Sequence, residues 1–259
     1  MNLFIAPFVN ALFGVYYLVG NLGLAIILVT VLIRLILLPL MLPSLKSAEK
    51  MKELQPKLNK LKEKYGTDKK GLATAQMELY KVEGINPLSG CLPQILQIAV
   101  LLLFFSAFNM VTSFSQGKGS FDSVNNNLVS VFKIAPDFKF DLNFLGSDLA
   151  VTPSKAFKGG INLGLLLPAI LLIGSGLLQY FSAKLMMPNP KVDNTIVKAT
   201  KDKEDDMMSM MRTQSTYFMP LMTIFIGWNF SLGMLLYWFT TSGLMVVQQV
   251  IVNKVYKKN

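Results

Sequence analysis

Residues 23–40 read GLAIILVTVLIRLILLPL. They sit inside Leu22–Leu42, an apolar run with a single charge, Arg34. A hydrocarbon core about 30 Å thick is crossed by roughly 20 apolar residues in helical form, so 22–42 reads as a membrane span. Leu92–Thr112 and Leu163–Ala183 pass the same test with no charge at all, giving spans at 92–112 and 163–183. The block Thr213–Val252 carries no ionised side chain and is too long for one span. It divides near Asn229–Leu232, where Asn-Phe-Ser-Leu offers a turn, into a hairpin of fourth and fifth spans over 214–252. The expected fold is an all-α membrane protein with five transmembrane helices.

Composition narrows the chemistry. Of 259 residues, 52% are hydrophobic and 15% charged, where a soluble chain carries about 25% charged residues. There is no His and one Cys, Cys91. That excludes a His general base, a Ser-His-Asp or Cys-His pair, a His/Cys zinc site and an intramolecular disulfide. No Gly-rich phosphate loop of the Walker type occurs. The spans hold neither a Ser-Lys dyad nor paired Asp, so no enzyme is expected, and no cofactor or metal.

Loop charges set an expected topology. Segment 43–91 holds ten Lys, 184–213 five Lys plus Arg212, and the tail 253–259 Lys254, Lys257 and Lys258. Segment 113–162 holds five Lys offset by Asp122, Asp137, Asp141 and Asp148. Positive residues favour the cytoplasmic side, which puts the N-terminus outside and the C-terminus inside. Residues 1–21 carry Leu3, Phe4, Phe8, Ala11, Leu12, Val15 and Val19 at helical spacing and no charge. An amphipathic helix lying at the membrane interface is preferred there over an extra span.

Segment 43–91 is more than a connector. Leu45, Ala48, Met51, Leu54, Leu58, Leu61 and Tyr65 recur at steps of three and four. Gly66-Thr67-Asp68 breaks the pattern, and Leu72, Ala75, Leu79 and Val82 resume it. This predicts a helical hairpin with one apolar seam and a basic face of Lys57, Lys60, Lys62, Lys64, Lys69 and Lys70. Glu53 and Lys57 are spaced for an i,i+4 pair, and Pro56 should kink the first arm. The basic face reads either as a solvated surface or as a platform for lipid headgroups or ribosomal RNA. With no base-reading motif, contact with nucleic acid would be electrostatic and not sequence-specific. Segment 184–213 mixes Pro188 and Pro190 with Met207, Met208, Met210 and Met211 and shows no apolar period.

Arg34 lies about 12 Å from the inner end of its span. A charge at that depth costs at least about 2.5–3.5 kcal/mol to insert, and no Asp or Glu in any span offsets it. Water, uncharged polar side chains or an anionic ligand must meet it. Thr30 lies one turn before it, Gln94 and Gln97 share a face of the second span, and Ser175, Gln179 and Ser182 form a stripe in the third. Thr216 and Thr223 follow in the fourth, and Tyr237, Thr241 and Gln248 in the fifth, where Trp238 also needs a partner for its N–H. Turned inward, these stripes would enclose a wet, positive cavity; taken singly, each residue could serve only as glue between helices. A transporter or channel for small anions would also use Arg34, although no internal repeat of its span is visible.

Several of these stretches, in this order, resemble the YidC/Oxa/Alb family of membrane protein insertases, in its small bacterial type without a large periplasmic domain. They are GLAIILVTVLIRLILLPL with Thr30 and Arg34, LQPKLNKLKEKYG (54–66), NPLSGCLPQILQ (86–97), FLGSDLA (144–150) and LGMLLYWFTTSGLMVVQQ (232–249). The local sequence Phe230-Ser231-Leu232-Gly233 departs from the family pattern, which has a Pro shortly before the Gly, and the 113–162 loop is unusually long. The resemblance implies a five-helix bundle with a hydrophilic groove, open to the cytoplasm and to lipid. Arg34, Thr30, Gln94, Gln97, Gln179, Tyr237, Trp238 and Thr241 are the groove residues it implies. It further implies a multi-pass protein of the bacterial plasma membrane that receives nascent membrane proteins and releases them into the lipid bilayer. The Sec translocon, the ribosome and the signal recognition particle pathway are the partners it suggests.

Overall fold

The first corner of the chain is made by Gly20 and Asn21. Gly20 adopts a left-handed conformation (φ 67°) that closes helix α1 (Ala6–Val19), its N–H donating to the Tyr16 carbonyl at 2.7 Å. Asn21 then caps α2 (Leu22–Glu53), its side-chain oxygen accepting from the Leu24 N–H at 3.1 Å. The computed structural model describes residues 3–66, 68–85, 92–159, 163–186 and 213–256. Cys91, Pro188, Pro190, the Met207–Met211 cluster, Arg212, Lys257 and Lys258 lie outside them.

Helix α2 has 32 residues, about 48 Å, and continues well beyond Leu42 through Pro39 and Pro43. It ends at Leu54, where α3 (Gln55–Tyr65) begins with Pro56 in its first turn. Pro56 therefore opens a helix instead of kinking one, since a first-turn residue needs no N–H donor. The break separates Glu53 from Lys57, and the expected pair between them does not form; Lys57 pairs with Glu83, just past α4 (Lys69–Val82). Asp68 caps α4 by accepting from the Gly71 N–H at 3.0 Å, and Leu54, Leu58, Tyr80 and Ile85 bury together between the arms.

Helix α5 (Leu92–Ser115) leads into a segment of short elements, called outer after the side expected for it: α6 (Phe121–Asn125), the antiparallel pair β1 (Asn143–Phe144) and β2 (Ser147–Asp148), and α7 (Pro153–Ala156). Helix α8 (Leu166–Met186) follows. A five-residue π turn, Gln214–Phe218, runs into the nine-residue α9 (Met219–Gly227), and a turn leads to α10 (Leu232–Tyr256). Among the described residues, four helices are long and apolar enough to cross a membrane: Leu22–Glu53, Gln94–Ser115, Leu163–Met186 and Leu232–Val255. The π turn and α9 together span only about 21 Å. Helix α10 is the hub, packed on α8 and α2; α9 leans on α8, and α1 on α2 and α5.

The outer segment is a folded cap. Asn10 of α1 reaches it with two bonds, donating to the Asn127 carbonyl at 2.7 Å and accepting from the Val129 N–H at 2.8 Å. Phe140 stands edge-on to Phe13 and Tyr16, at 4.6 and 4.9 Å between centroids. A helix N-terminus leaves its first N–H groups without intrahelical acceptors. Here those of Leu232 and Gly233 donate to the Val151 and Leu149 carbonyls at 2.8 and 2.9 Å. The Ser154 N–H donates in turn to the Trp228 carbonyl at 3.0 Å, so residues 149–154 stitch the α9–α10 turn shut.

Gly23 lets the cap sit against α2: a Cβ there would lie 2.1 Å from the Phe144 ring. Gly23→Val should cost about 1–3 kcal/mol by overpacking. Thermal unfolding in detergent should fall accordingly, and protease cleavage between residues 116 and 159 should rise. Unchanged cleavage would mean that the cap is not held there.

Candidate functional site

Burial in α2, α5 and α10 thins at one level. In α2 the buried positions run Leu22, Gly23, Ala25, Ile26, Val29 and Thr30, then stop until Met41. In the described part of α5 the first buried side chain is Val100, one turn after Gln97. In α10 the unbroken buried run Leu232–Tyr237 ends at Tyr237. The outer half of the bundle is thus filled with Phe104, Phe108, Val111, Leu149, Leu232 and Leu235, and inward of it the buried positions of α2, α5 and α10 are fewer and more polar, Thr241, Ser242 and Gln249 among them.

Arg34 lies at this boundary. Its Nη2 donates to Gln97 Oε1 at 2.7 Å, and Gln97 Nε2 donates to the Tyr237 hydroxyl at 3.0 Å. Nη1 donates to Met41 Sδ at 3.4 Å, and the Tyr237 ring stacks on Phe104 at 4.3 Å. One chain of hydrogen bonds therefore links α2, α5 and α10. No carboxylate pairs with Arg34 among the described residues. Hydrogen bonds to a charged group are the stronger kind, so Gln97 is the main offset to the cost of placing this guanidinium in the span.

The other expected groove residues divide. Thr30 is buried and its hydroxyl donates to the Ile26 carbonyl at 2.6 Å, within its own helix. Ser175 does the same toward Leu171 at 2.6 Å. Gln179 accepts from the Thr223 hydroxyl at 2.6 Å, which ties α8 to α9 and not to Arg34. Gln94 is exposed, and Trp238 is half-buried with its ring 5.9 Å from Phe230. Thr241 is buried one turn along from Tyr237. Among the hairpin lysines, Lys60 and Lys70 are exposed, Lys64 lies 5.6 Å from the Tyr65 ring centroid and Lys62 is partly buried. Lys57 is engaged by Glu83, and the side chain of Lys69 lies outside the description.

Sequence reasoning missed three participants. Met41 is seven residues from Arg34, two turns along the same face, and Phe104 is seven from Gln97; both offsets were there to be read. The third is a polar clamp at the inner end. Lys52 pairs with Glu49 and donates to the Leu185 carbonyl at 3.0 Å and to Asn253 Oδ1 at 3.2 Å. Gln249 donates to Asn253 Oδ1 at 2.9 Å and Glu49 Oε1 at 3.3 Å. The clamp pins the inner extension of α2 to α8 and α10.

Gln97→Leu should lower stability in detergent by about 1.5–3 kcal/mol, because Arg34 then loses a charge-assisted bond. Tyr237→Phe, which removes the acceptor of Gln97 Nε2 and leaves the bond from Gln97 to Arg34 in place, should cost about 0.5–1.5 kcal/mol. Equal losses in the two variants would argue against Arg34 as the centre of the chain of bonds.

Residues 14–259 match the family model described as 60Kd inner membrane protein. A Fusobacterium nucleatum protein named membrane protein insertase YidC is 34% identical over 91% of this chain and 88% of its own length. Proteins of the same name from Treponema denticola and Dinoroseobacter shibae are 30% and 33% identical over 94% and 91% of this chain. The chain spans only 36% and 34% of those two. With the four apolar helices, these matches make this a multi-pass protein of the bacterial membrane.

Proposed function

The chain belongs to the 60Kd inner membrane protein family, and from that membership we propose that it is a membrane protein insertase. The observation that carries the reading is the position of Arg34. It is the one charged side chain inside the expected spans, held by Gln97 at the level where the filled outer half gives way to fewer and more polar buried positions. A hydrophilic groove on the inner side of that level would receive the polar tail of a nascent segment. The tail then has less hydrocarbon to cross, and a tail carrying Asp or Glu is drawn toward the guanidinium.

Gln97 is an uncharged partner, so Arg34 is not neutralised at rest and an incoming carboxylate gains a full positive charge. Lateral release is served by α5 and α9, which do not form a packed pair among the described residues. Both present apolar side chains outward: Ile95, Ile98 and Leu102 on one, Leu221 and Phe225 on the other. The task is physical, with no bond made or broken. The hairpin of α3 and α4 belongs on the cytoplasmic side, with the N-terminus outside and the C-terminus inside. From there its lysines can meet lipid headgroups, the ribosome or the signal recognition particle pathway, and the bundle can work alone or beside the Sec translocon.

Insertion of a single-span substrate with an acidic tail into proteoliposomes tests this. Arg34→Ala should reduce the inserted fraction about tenfold, equivalent to ~1.4 kcal/mol, and should affect a neutral-tailed substrate much less. Arg34→Lys keeps the charge but loses the planar fork, so it should retain part of the activity. If Arg34→Ala inserts the acidic substrate as wild type does, attraction by the guanidinium is not the mechanism.

A further inference from the structure

On the face formed by α8 and the π turn with α9 lies a cleft of about 260 Å³. Its walls are Ile173, Leu177 and Tyr180 on one side and Tyr217, Leu221 and Ile224 on the other. It is distinct from the Arg34 chain of bonds, none of whose residues line it. Gly176 sets its floor: a Cβ there would lie 2.9 Å from Ile224 Cδ1, so the glycine lets α9 seat against α8. Ile173, Leu177, Tyr217 and Leu221 are each more than half exposed, so the cleft opens away from the bundle core.

Three features give the cleft a direction. The end at Ile173 and Ile224 is wholly apolar, and the other end carries the polar groups. At the opposite end stand the rings of Tyr180 and Tyr217, 6.1 Å apart. Beside them is Lys184, its Nζ 5.8 Å from the Tyr180 ring centroid, with no acidic partner among the described residues.

We propose that this cleft binds one acyl chain of an anionic phospholipid. The chain lies between α8 and α9, and Lys184 meets the phosphate. An apolar stem with a negative charge beyond its head is the order of groups in such a lipid. A tyrosine pair and a lysine at the rim is the side-chain chemistry of a membrane interface. In the proposed orientation the lipid belongs to the cytoplasmic leaflet. The site extends beyond the insertase reading and does not depend on it.

The test uses the full chain in nanodiscs containing phosphatidylglycerol or phosphatidylcholine with a photoreactive group in the acyl chain. Labelled peptides are mapped by mass spectrometry. Phosphatidylglycerol should label 173–180 and 216–224 about fivefold more than phosphatidylcholine does, the factor expected of one lysine near the surface. Lys184→Gln should remove that preference, and Leu177→Trp, at an exposed position, should reduce labelling by both lipids. Labelling no stronger than at the exposed Leu102 of α5, or a lipid preference unchanged in Lys184→Gln, would overturn the proposal. So would labelling of the cleft by a photoreactive nascent segment when neither lipid labels it.

Discussion

A guanidinium placed among hydrocarbon must find hydrogen-bond acceptors, and Arg34 uses side chains for them. Its oxygen acceptor, Gln97, is on a different helix. The bond to Gln97, and from Gln97 to Tyr237, fixes the relative rotation of α2, α5 and α10, because each of these side chains has only one helix face from which to reach its partner. The Tyr237 ring then stacks on Phe104, the first large aromatic of the filled outer half. The polar chain and the aromatic core thus meet at a single level, and inward of that level the buried positions of these helices are fewer and more polar.

The two ends of the bundle are held by different means. At the outer end, residues 149–154 satisfy the backbone of the α9–α10 turn, and the aromatic cluster of Phe13, Phe138 and Phe140 joins the cap to α1. Many short backbone bonds and close ring contacts make a rigid lid. At the inner end a few long side chains, Lys52, Glu49, Gln249 and Asn253, hold α2 against α10 and α8. Amide and ammonium groups on flexible stems give a looser tie, in keeping with the proposed entry of a polypeptide at that end.

Much of the architecture was legible in the sequence because membrane spans are local. A run such as Leu163–Ala183 reads as a helix from composition alone, and Gly66-Thr67-Asp68 marks the hairpin break by its turn chemistry. The outer cap was not legible: its contacts join Asn10 to Val129 and Leu149 to Gly233, residues far apart in sequence and with no shared period. The role of Pro56 was misjudged for a related reason. Whether a proline kinks a helix or begins one depends on where the preceding helix stops, and α2 stops at Leu54.

Helicity, apolar character, the gathering of charge in the loops and the lack of a carboxylate in the spans to pair with Arg34 all follow from residue order. Which polar side chains serve Arg34 follows from the packing of the helices against one another. The division follows side-chain length. Short hydroxyls such as Thr30, Thr112 and Ser175 reach the carbonyl one turn back and are satisfied within their own helix, so their inward spacing says little about a site. Gln97, Gln179 and Arg34 are too long for that bond and reach across to a neighbouring helix. Their partners depend on helix rotation and depth, which no local pattern encodes.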